Sequence, residues 1–255
     1  ITTEIKLRLL PLPEMEQTML ISFEDVFKAT EGALAILASG ANPSEIELFE
    51  KEAVYYAEEH LGYPLQSQLG EAYLLVALDG NNELELKARI NTIINDIEPL
   101  SLEILSFTDS DEARKAKLIR DNILIGLMEF TQYEMLDEVV PINKFAELIH
   151  YTKGLQEKHG LRVLNFGHSG DGNVHTILMR GDLTDEEWQT RRKALLDDLY
   201  IKVKELGGLP SAEHGIGTVK KPYLEEMTDD VNLQYMRKIK EIFDPEHRLN
   251  PGKLF

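Results

Sequence analysis

Residues 18–24 read TMLISFE, residues 26–38 read VFKATEGALAILA, and residues 44–49 read SEIELF. The first and third stretches are short, apolar and rich in β-branched residues, which is typical of strands. The middle stretch is rich in alanine and has the length of a helix. Together they predict one strand–helix–strand unit.

The same order of elements returns further along the chain. AYLLVALD at residues 72–79 predicts a strand, residues 83–97 have helical spacing of their apolar side chains, and SLEILSF at residues 101–107 predicts another strand. Repeated βαβ units of this kind indicate an α+β fold with a ferredoxin-like, mainly antiparallel sheet. We expect helices on one face of that sheet, and the C-terminal part of the chain to add further helices.

The N-terminal segment has a strand-like pattern of its own. Residues 1–12, ITTEIKLRLLPL, alternate between polar and apolar side chains, and the breaker Pro11-Leu-Pro13 ends the pattern. No charged-then-apolar leader is present. A chain that starts within a strand is expected to be part of a longer protein, with residues 14–255 as one body.

Composition excludes several classes of protein. The chain has 255 residues, 45 acidic against 27 basic side chains, a net charge of −18 and no cysteine. This negative field disfavours nucleic-acid binding. Without cysteine, this chain cannot hold a disulfide, a thiolate zinc site or an iron–sulfur cluster, and a reducing, cytoplasmic setting is expected. No apolar run reaches the roughly 20 residues of a membrane span. The acidic stretch at residues 45–59 is predicted to be a solvated face.

Two short motifs contain residues suited to catalysis. GHSGDGNVH at residues 167–175 places His168 and His175 on either side of a glycine-rich turn, and SAEHGIG at residues 211–217 contains Glu213 and His214. Two imidazoles and one carboxylate form a known type of catalytic divalent-metal site, for Zn²⁺ or for Mn²⁺ or Fe²⁺. The remaining histidine would then be free to act as a base. Two other interpretations stay open: a phosphate-binding turn, or a hairpin whose histidines face water.

These motifs, with Lys220 and the closing segment Asp244-Pro…Leu249-Asn-Pro-Gly-Lys253, resemble the C-terminal domain of FAD-linked oxidases. That group contains glycolate oxidase, D-lactate dehydrogenase and D-2-hydroxyglutarate dehydrogenase. The resemblance covers essentially the whole chain. It implies that residues 1–13 are the last strand of a preceding FAD-binding domain and that residues 14–255 cap the flavin.

The resemblance also implies roles for individual residues. His168, His175 and Glu213 would hold a divalent metal, Zn²⁺ or Mn²⁺, against the substrate, and His214 would take the hydroxyl proton while hydride passes to FAD. On the cofactor side lie Glu213, Lys220 and Asn250, with FAD held mainly by the missing domain. Arg120 would bind the substrate's carboxylate.

Two departures from the family pattern bear on the substrate. Lys117 stands where a tryptophan is usual, and Met135 stands where a lysine often helps to hold a carboxylate. The chemistry of a 2-hydroxy acid oxidoreductase of the D-lactate or glycolate type is therefore expected, and a dicarboxylate substrate is disfavoured. A solvated arginine on a helix face is the alternative for Arg120.

The implied partners are a small 2-hydroxy acid and an electron acceptor: a quinone, an electron-transfer flavoprotein or an iron–sulfur protein. A homodimer and peripheral membrane association through a partner are left open. Two other functions are carried forward from the residues alone. One is a metal-dependent hydrolase that uses the same His/His/Glu site, and the other is a non-catalytic interaction domain.

Overall fold

A computed structural model describes residues 2–107 and 110–254 of the chain. Within those ranges it has eight strands and nine α-helices. The strands are β1 (Met15–Phe23), β2 (Glu45–Glu50), β3 (Ala72–Gly80), β4 (Glu103–Phe107), β5 (Tyr133–Met135), β6 (Glu138–Val139), β7 (Arg162–His168) and β8 (Asn173–Met179). The helices are α1 (Val26–Ala38), α2 (Lys51–Leu61), α3 (Glu83–Ile97), α4 (Ser110–Asp121), α5 (Ile123–Phe130), α6 (Phe145–His159), α7 (Asp185–Glu205), α8 (Lys221–Met227) and α9 (Asp230–Phe243).

The strands form one sheet in the order β4-β1-β3-β2-β7-β8-β5, and β6 pairs with β8. Each ladder between these strands is antiparallel. The first four strands lie in the order 4-1-3-2, so β3 separates the two strands that α1 connects. The prediction of an α+β fold with a ferredoxin-like, mainly antiparallel sheet is confirmed, and α8 and α9 are the expected C-terminal helices.

Helices cover both faces of the sheet, so the expectation of helices on one face is wrong. Met19 and Ile21 of β1 pack with α1, α3, α6 and α7, whereas Leu20 of β1 packs on the other face with α2, α4 and α5. The reason is visible in β1 itself, where residues 18–23 are buried without interruption. Because successive side chains of a strand point to opposite faces, an unbroken apolar run needs cover on both sides.

Residues 2–13 have no regular secondary structure, and the strand predicted over residues 1–12 is absent from the described part of that segment. Its large apolar side chains are exposed, Leu9 by 84% and Leu12 by 90%. A strand needs a neighbouring strand to bond its backbone N–H and C=O groups. Ile1 lies outside the described residues, as does Phe255. That residues 1–13 belong to a preceding domain stays a prediction.

Within the described ranges, no helix combines the length and the apolar character that crossing a bilayer requires.

A candidate metal site at the edge of the sheet

A tight hairpin between β7 and β8 brings the two histidines of the first motif together. Phe166 lies opposite His175 in the ladder, so the rings of His168 and His175 project from the same face with their centroids 5.4 Å apart. Gly172 makes the turn possible, because its φ is +81° and an added Cβ would lie 2.1 Å from the Val140 carbonyl oxygen.

The second motif is held in place by Asp137, which lies between β5 and β6 and is fully buried. Its Oδ2 accepts hydrogen bonds from the Ser211 hydroxyl at 2.6 Å and from the backbone N–H groups of Ala212, Glu213 and His214 at 3.1, 3.2 and 2.9 Å. One carboxylate therefore fixes the backbone of the whole segment that contains Glu213 and His214.

Glu213 is the point at which three histidines meet. Its Oε1 lies 3.4 Å from Nε2 of His175, 3.4 Å from Nε2 of His214 and 3.7 Å from Nε2 of His168. Ligand atoms of Asp137, His175, Glu213 and His214 all lie within 4.8 Å of one another. Bond lengths of about 2.1 Å put tetrahedral zinc ligands about 3.4 Å apart. The distances to Glu213 Oε1 agree with such a separation, but the group within 4.8 Å contains Asp137 and His214 and leaves out His168, the third ligand that the sequence predicts.

Burial and neighbouring charges shift the pKa values of these side chains in different directions. Burial, aided by the nearby His168 and His214, lowers the pKa of His175, which keeps its ring neutral and able to bind a metal. The hydrogen bond to Glu47 raises the pKa of His168. Burial alone would raise the pKa of Asp137, but the bonds from Ser211 and from the His214 N–H, with Lys220 nearby, outweigh it and lower that pKa.

Arg120 lies beside this cluster, as its predicted substrate role requires, but Glu47 already binds it. Nε and Nη2 of Arg120 donate to Glu47 Oε2 at 3.0 and 2.6 Å, and Nη1 donates to Asp121 at 3.1 Å. Only 21% of the Arg120 side chain is exposed, so the alternative of a solvated helix-face arginine is wrong. Lys117, one turn earlier on α4, pairs with Glu16 and does not take part in the cluster.

Of the two remaining predicted site residues, Lys220 and Asn250, one is buried and the other is exposed. Lys220 is buried, and its ammonium group lies 3.4 Å from Asp137 Oδ2, so it supports the loop that contains Glu213. Asn250 is exposed, has a left-handed backbone with φ of +48°, and lines a separate, largely apolar cavity of about 500 Å³ with Phe243 and Lys253. The backbone N–H of Leu254 donates to Gly217, which ties this C-terminal segment to the loop after His214.

Sequence reasoning missed Asp137 and Glu47. The apolar neighbours of Asp137, in Met135-Leu-Asp-Glu-Val-Val140, were the signal that it is buried. Glu47 belongs to the stretch predicted to be a solvated face, and there the prediction is wrong: Glu47 is 5% exposed and Glu50 8% exposed. Each has a cationic partner that is itself partly buried, Arg120 for Glu47 and Lys153 for Glu50. An acidic residue between two apolar ones in a central strand is turned inward when such a partner exists.

Comparison with protein families gives one match over nearly the whole chain. A family model described as FAD linked oxidases, C-terminal domain, matches residues 12–254. The chain is 34% identical over 263 residues to the D-lactate dehydrogenase of Anaerostipes hadrus, covering all of this chain and 55% of that protein. It is 27% identical over 266 residues to the glycolate oxidase protein GlcD of Bacillus subtilis, covering 54% of it. The chain thus spans about half the length of these curated relatives.

Solved structures of low sequence identity share the fold. The chain superposes on p-cresol methylhydroxylase with a TM-score of 0.67 at 14% identity, over 96% of this chain and 53% of the other. It superposes on 4-ethylphenol oxidase from Gulosibacter chungangensis with a TM-score of 0.68 at 15% identity, over 97% of this chain and 55% of the other.

Proposed function

Because this chain belongs to the family of FAD-linked oxidase C-terminal domains, we propose that it is the substrate- and metal-binding part of a flavin-dependent 2-hydroxy acid dehydrogenase or oxidase. The family membership confirms the resemblance seen in the three sequence motifs. The observation that carries the functional proposal is the meeting of three imidazole nitrogens at one carboxylate oxygen, Oε1 of Glu213, within 3.4–3.7 Å.

His168, His175 and Glu213 are the proposed ligands of a divalent metal, Zn²⁺ or Mn²⁺. Asp137 lies close enough to be a ligand, but its Oδ2 already accepts bonds from Ser211, three backbone N–H groups and Lys220. These bonds use the acceptor positions of Oδ2, so Asp137 serves mainly to shape the loop, while its other oxygen, Oδ1, lies 3.9 Å from His175 Nε2. When bound, the metal would lower the pKa of the substrate hydroxyl.

His214 is the proposed base. Its Nε2 lies 3.4 Å from Glu213 Oε1, next to where a hydroxyl held by the ligands would lie. Its side chain is 34% exposed, compared with 8% for His175, so it can pass a proton on to water. A base must be within hydrogen-bond reach of the proton and able to exchange it afterwards, and His214 meets both conditions better than His175.

FAD would be held mainly by a preceding domain and would accept the hydride. Asn250, beside the apolar wall formed by Phe243 and Leu249, fits contact with the edge of an aromatic ring system. Glu213 is proposed to face the cofactor directly. Lys220 is proposed to act on the cofactor side through the loop, since Asp137 binds its ammonium group.

The proposed substrate is a small 2-hydroxy acid of the D-lactate or glycolate type, since the similar proteins are named for D-lactate and glycolate. Arg120 is proposed to contact the carboxylate through its Nη1 edge, which Glu47 leaves open and where the present partner, Asp121, is 58% exposed. The proposed electron acceptor is a quinone, an electron-transfer flavoprotein or an iron–sulfur protein, reached in the cytoplasm or peripherally at a membrane.

The test is metal content, measured by elemental analysis after loading with Zn²⁺ or Mn²⁺ and gel filtration. The chain is expected to retain close to one metal ion, and the His168→Ala/His175→Ala variant to lose it. The matched control, His60→Ala/His247→Ala, removes two imidazoles elsewhere and should retain the metal. Equal metal in all three proteins, or none in the parent chain, would contradict the assignment. Oxidation of D-lactate or glycolate by the flavoprotein that contains this chain then tests the reaction.

A further inference from the structure

Glu47 and His168 are direct cross-strand neighbours. They lie opposite each other in the antiparallel ladder between β2 and β7, so their side chains leave the same face of the sheet at the closest spacing that a sheet provides. Glu47 Oε1 lies 2.6 Å from Nδ1 of His168, and only 6% of the Glu47 side chain is exposed. Two acceptor atoms cannot stand 2.6 Å apart without a proton between them, so His168 donates its Nδ1–H to Glu47.

Arg120 occupies the other oxygen of the same carboxylate. Both Nε and Nη2 donate to Glu47 Oε2, and the guanidinium supplies the positive charge that a buried carboxylate needs. Nη2 also lies 3.1 Å from His168 Nδ1, but Nδ1 is closer to Glu47 Oε1, at 2.6 Å, and that shorter contact needs the proton on Nδ1. The two oxygens therefore have separate tasks: Oε2 accepts from Arg120 and Oε1 accepts from His168.

The consequence for the site concerns the other ring nitrogen. In the neutral ring, a proton on Nδ1 leaves the lone pair on Nε2, and Nε2 of His168 is the atom that lies 3.7 Å from Glu213 Oε1. With the opposite tautomer, an N–H would point into the cluster and no lone pair would face a metal. Carboxylates that bind the outer N–H of a metal-binding histidine orient the ring and strengthen its lone pair.

We propose that Glu47 is a positioning residue that fixes His168 as its Nδ1–H tautomer, with the Nε2 lone pair directed toward Glu213, and that Arg120 fixes Glu47. This inference rests on the proposed function, because it assigns a purpose to that lone pair. In this proposal Glu47 acts through His168 and Arg120, the residues that it contacts.

Glu47→Gln makes a sharp test, because Arg120 can only donate. The guanidinium of Arg120 would therefore bind the amide oxygen of the glutamine and leave the amide NH₂ facing His168. The imidazole must then accept at Nδ1, so the tautomer is expected to invert to Nε2–H. In Glu47→Gln/Arg120→Met no guanidinium orients the amide, its oxygen can turn to His168, and the Nδ1–H tautomer is expected to return.

The readout is the pair of ¹⁵N shifts of the His168 ring in the metal-free chain, at alkaline pH where the imidazole is neutral. The control is Glu45→Gln, two residues away on the same face of β2, whose carboxylate pairs with Lys117 instead of His168. It should leave the shifts unchanged. In a parallel Zn²⁺ titration, Glu47→Gln should bind about 10–100-fold more weakly than the parent chain, and Glu45→Gln should bind equally well.

The same tautomer in the parent chain and in Glu47→Gln would overturn the inference, as would an Nε2–H tautomer in the parent chain. Because the ¹⁵N measurement needs no metal, it tests the role of Glu47 separately from the proposed metal site. A parent chain that has the Nδ1–H tautomer but binds neither Zn²⁺ nor Mn²⁺ would contradict the metal site and leave the role of Glu47 in orienting His168 standing.

Discussion

The backbone N–H of His214 donates to Oδ2 of Asp137 across 2.9 Å, although the two residues are 77 positions apart in the chain. Asp137 is fully buried, whereas the side chain of His214 is one-third exposed. The backbone of the proposed base is therefore fixed by a side chain that is closed to solvent. Its backbone is fixed while its ring remains open to solvent.

Asp137→Asn is expected to loosen this loop and to weaken metal binding. The amide group has two N–H donors where the carboxylate had acceptors, so they face the donors of Ser211, Glu213 and His214 and of the buried Lys220. Removing one partner of a buried charge pair costs about 3–5 kcal/mol. We expect a loss of unfolding free energy of about that size in urea denaturation, together with reduced Zn²⁺ affinity.

Two further variants serve as comparisons for the expected stability loss of Asp137→Asn. Ser211→Ala removes only one hydrogen bond to Asp137 and should cost about 1 kcal/mol, while Asp182→Asn, at an exposed position, should leave both stability and metal binding unchanged. If Asp137→Asn were as stable as the parent chain and bound metal equally well, the loop would not depend on this carboxylate.

In the hairpin that contains His168 and His175, replacing one glycine by alanine should lower stability, whereas the same replacement two positions away should not. Gly172→Ala is expected to destabilise the chain by about 2 kcal/mol or more, since a left-handed backbone alone costs about 1–3 kcal/mol and the new Cβ would meet the Val140 carbonyl oxygen at 2.1 Å. At Gly170 an added Cβ would meet no atom of the described residues within 4 Å, and the backbone has no positive φ, so the unfolding free energy of Gly170→Ala should match or slightly exceed that of the parent chain. Equal losses in both variants would contradict this view of the turn.

The sequence predicted the parts of the site that are local in the chain. His168 and His175 lie seven positions apart across glycines, and Glu213 and His214 are adjacent, so each pair could be recognised from its own motif. Their meeting at one oxygen depends on where the loop lies relative to the hairpin. That placement is set by Asp137, whose partners lie 74 to 83 positions later in the chain.

Glu47 shows a second limit of prediction from sequence. An acidic residue between Ile46 and Leu48 has the alternation of a half-exposed strand, and only the position of Arg120 on α4, 73 positions later, turns it into a buried one. The second layer of helices, by contrast, could be predicted from a single strand. The unbroken apolar run in β1 favours burial on both faces of the sheet. The same test could have been applied to β3, where residues 72–78 are all buried.

A close helix contact on that second face gives another prediction. Gly126 of α5 packs so tightly on α2 that an added Cβ would lie 2.1 Å from the Tyr56 carbonyl oxygen. Gly126→Ala must push the helices apart and is expected to cost about 1–3 kcal/mol. Gly154 lies in the exposed part of α6, and among the described residues outside its own helical turn no atom lies within 4 Å of an added Cβ, so Gly154→Ala should instead stabilise the chain by about 0.5–1 kcal/mol. Urea denaturation of both variants should give opposite signs, and a stabilising Gly126→Ala would contradict the packing of α2 on α5.

The C-terminal segment near Asn250 is held by Asp244, and its stability should depend on pH. A hydrogen bond from Lys240 and others from the backbone N–H groups of Leu249 and Arg248 lower the pKa of Asp244 to about 2. A carboxyl group whose pKa is lower in the folded chain than in the unfolded chain, where it is about 3.9, stabilises the fold above the unfolded value. That contribution is lost as the pH falls from about 4 to about 2.

Asp244→Asn is therefore expected to have a lower Tm than the parent chain at pH 7, with a difference that shrinks as the pH falls through this window, because protonation makes the parent chain resemble the variant. Glu246→Gln is the matched control, since Glu246 is 69% exposed and pairs with Arg248 at the surface. Its Tm should follow that of the parent chain at every pH. A Tm difference between Asp244→Asn and the parent chain that stayed constant from pH 7 down to pH 2 would show that the charge of Asp244 does not stabilise this segment. The hydrogen-bonding shape of the side chain would then account for the whole effect.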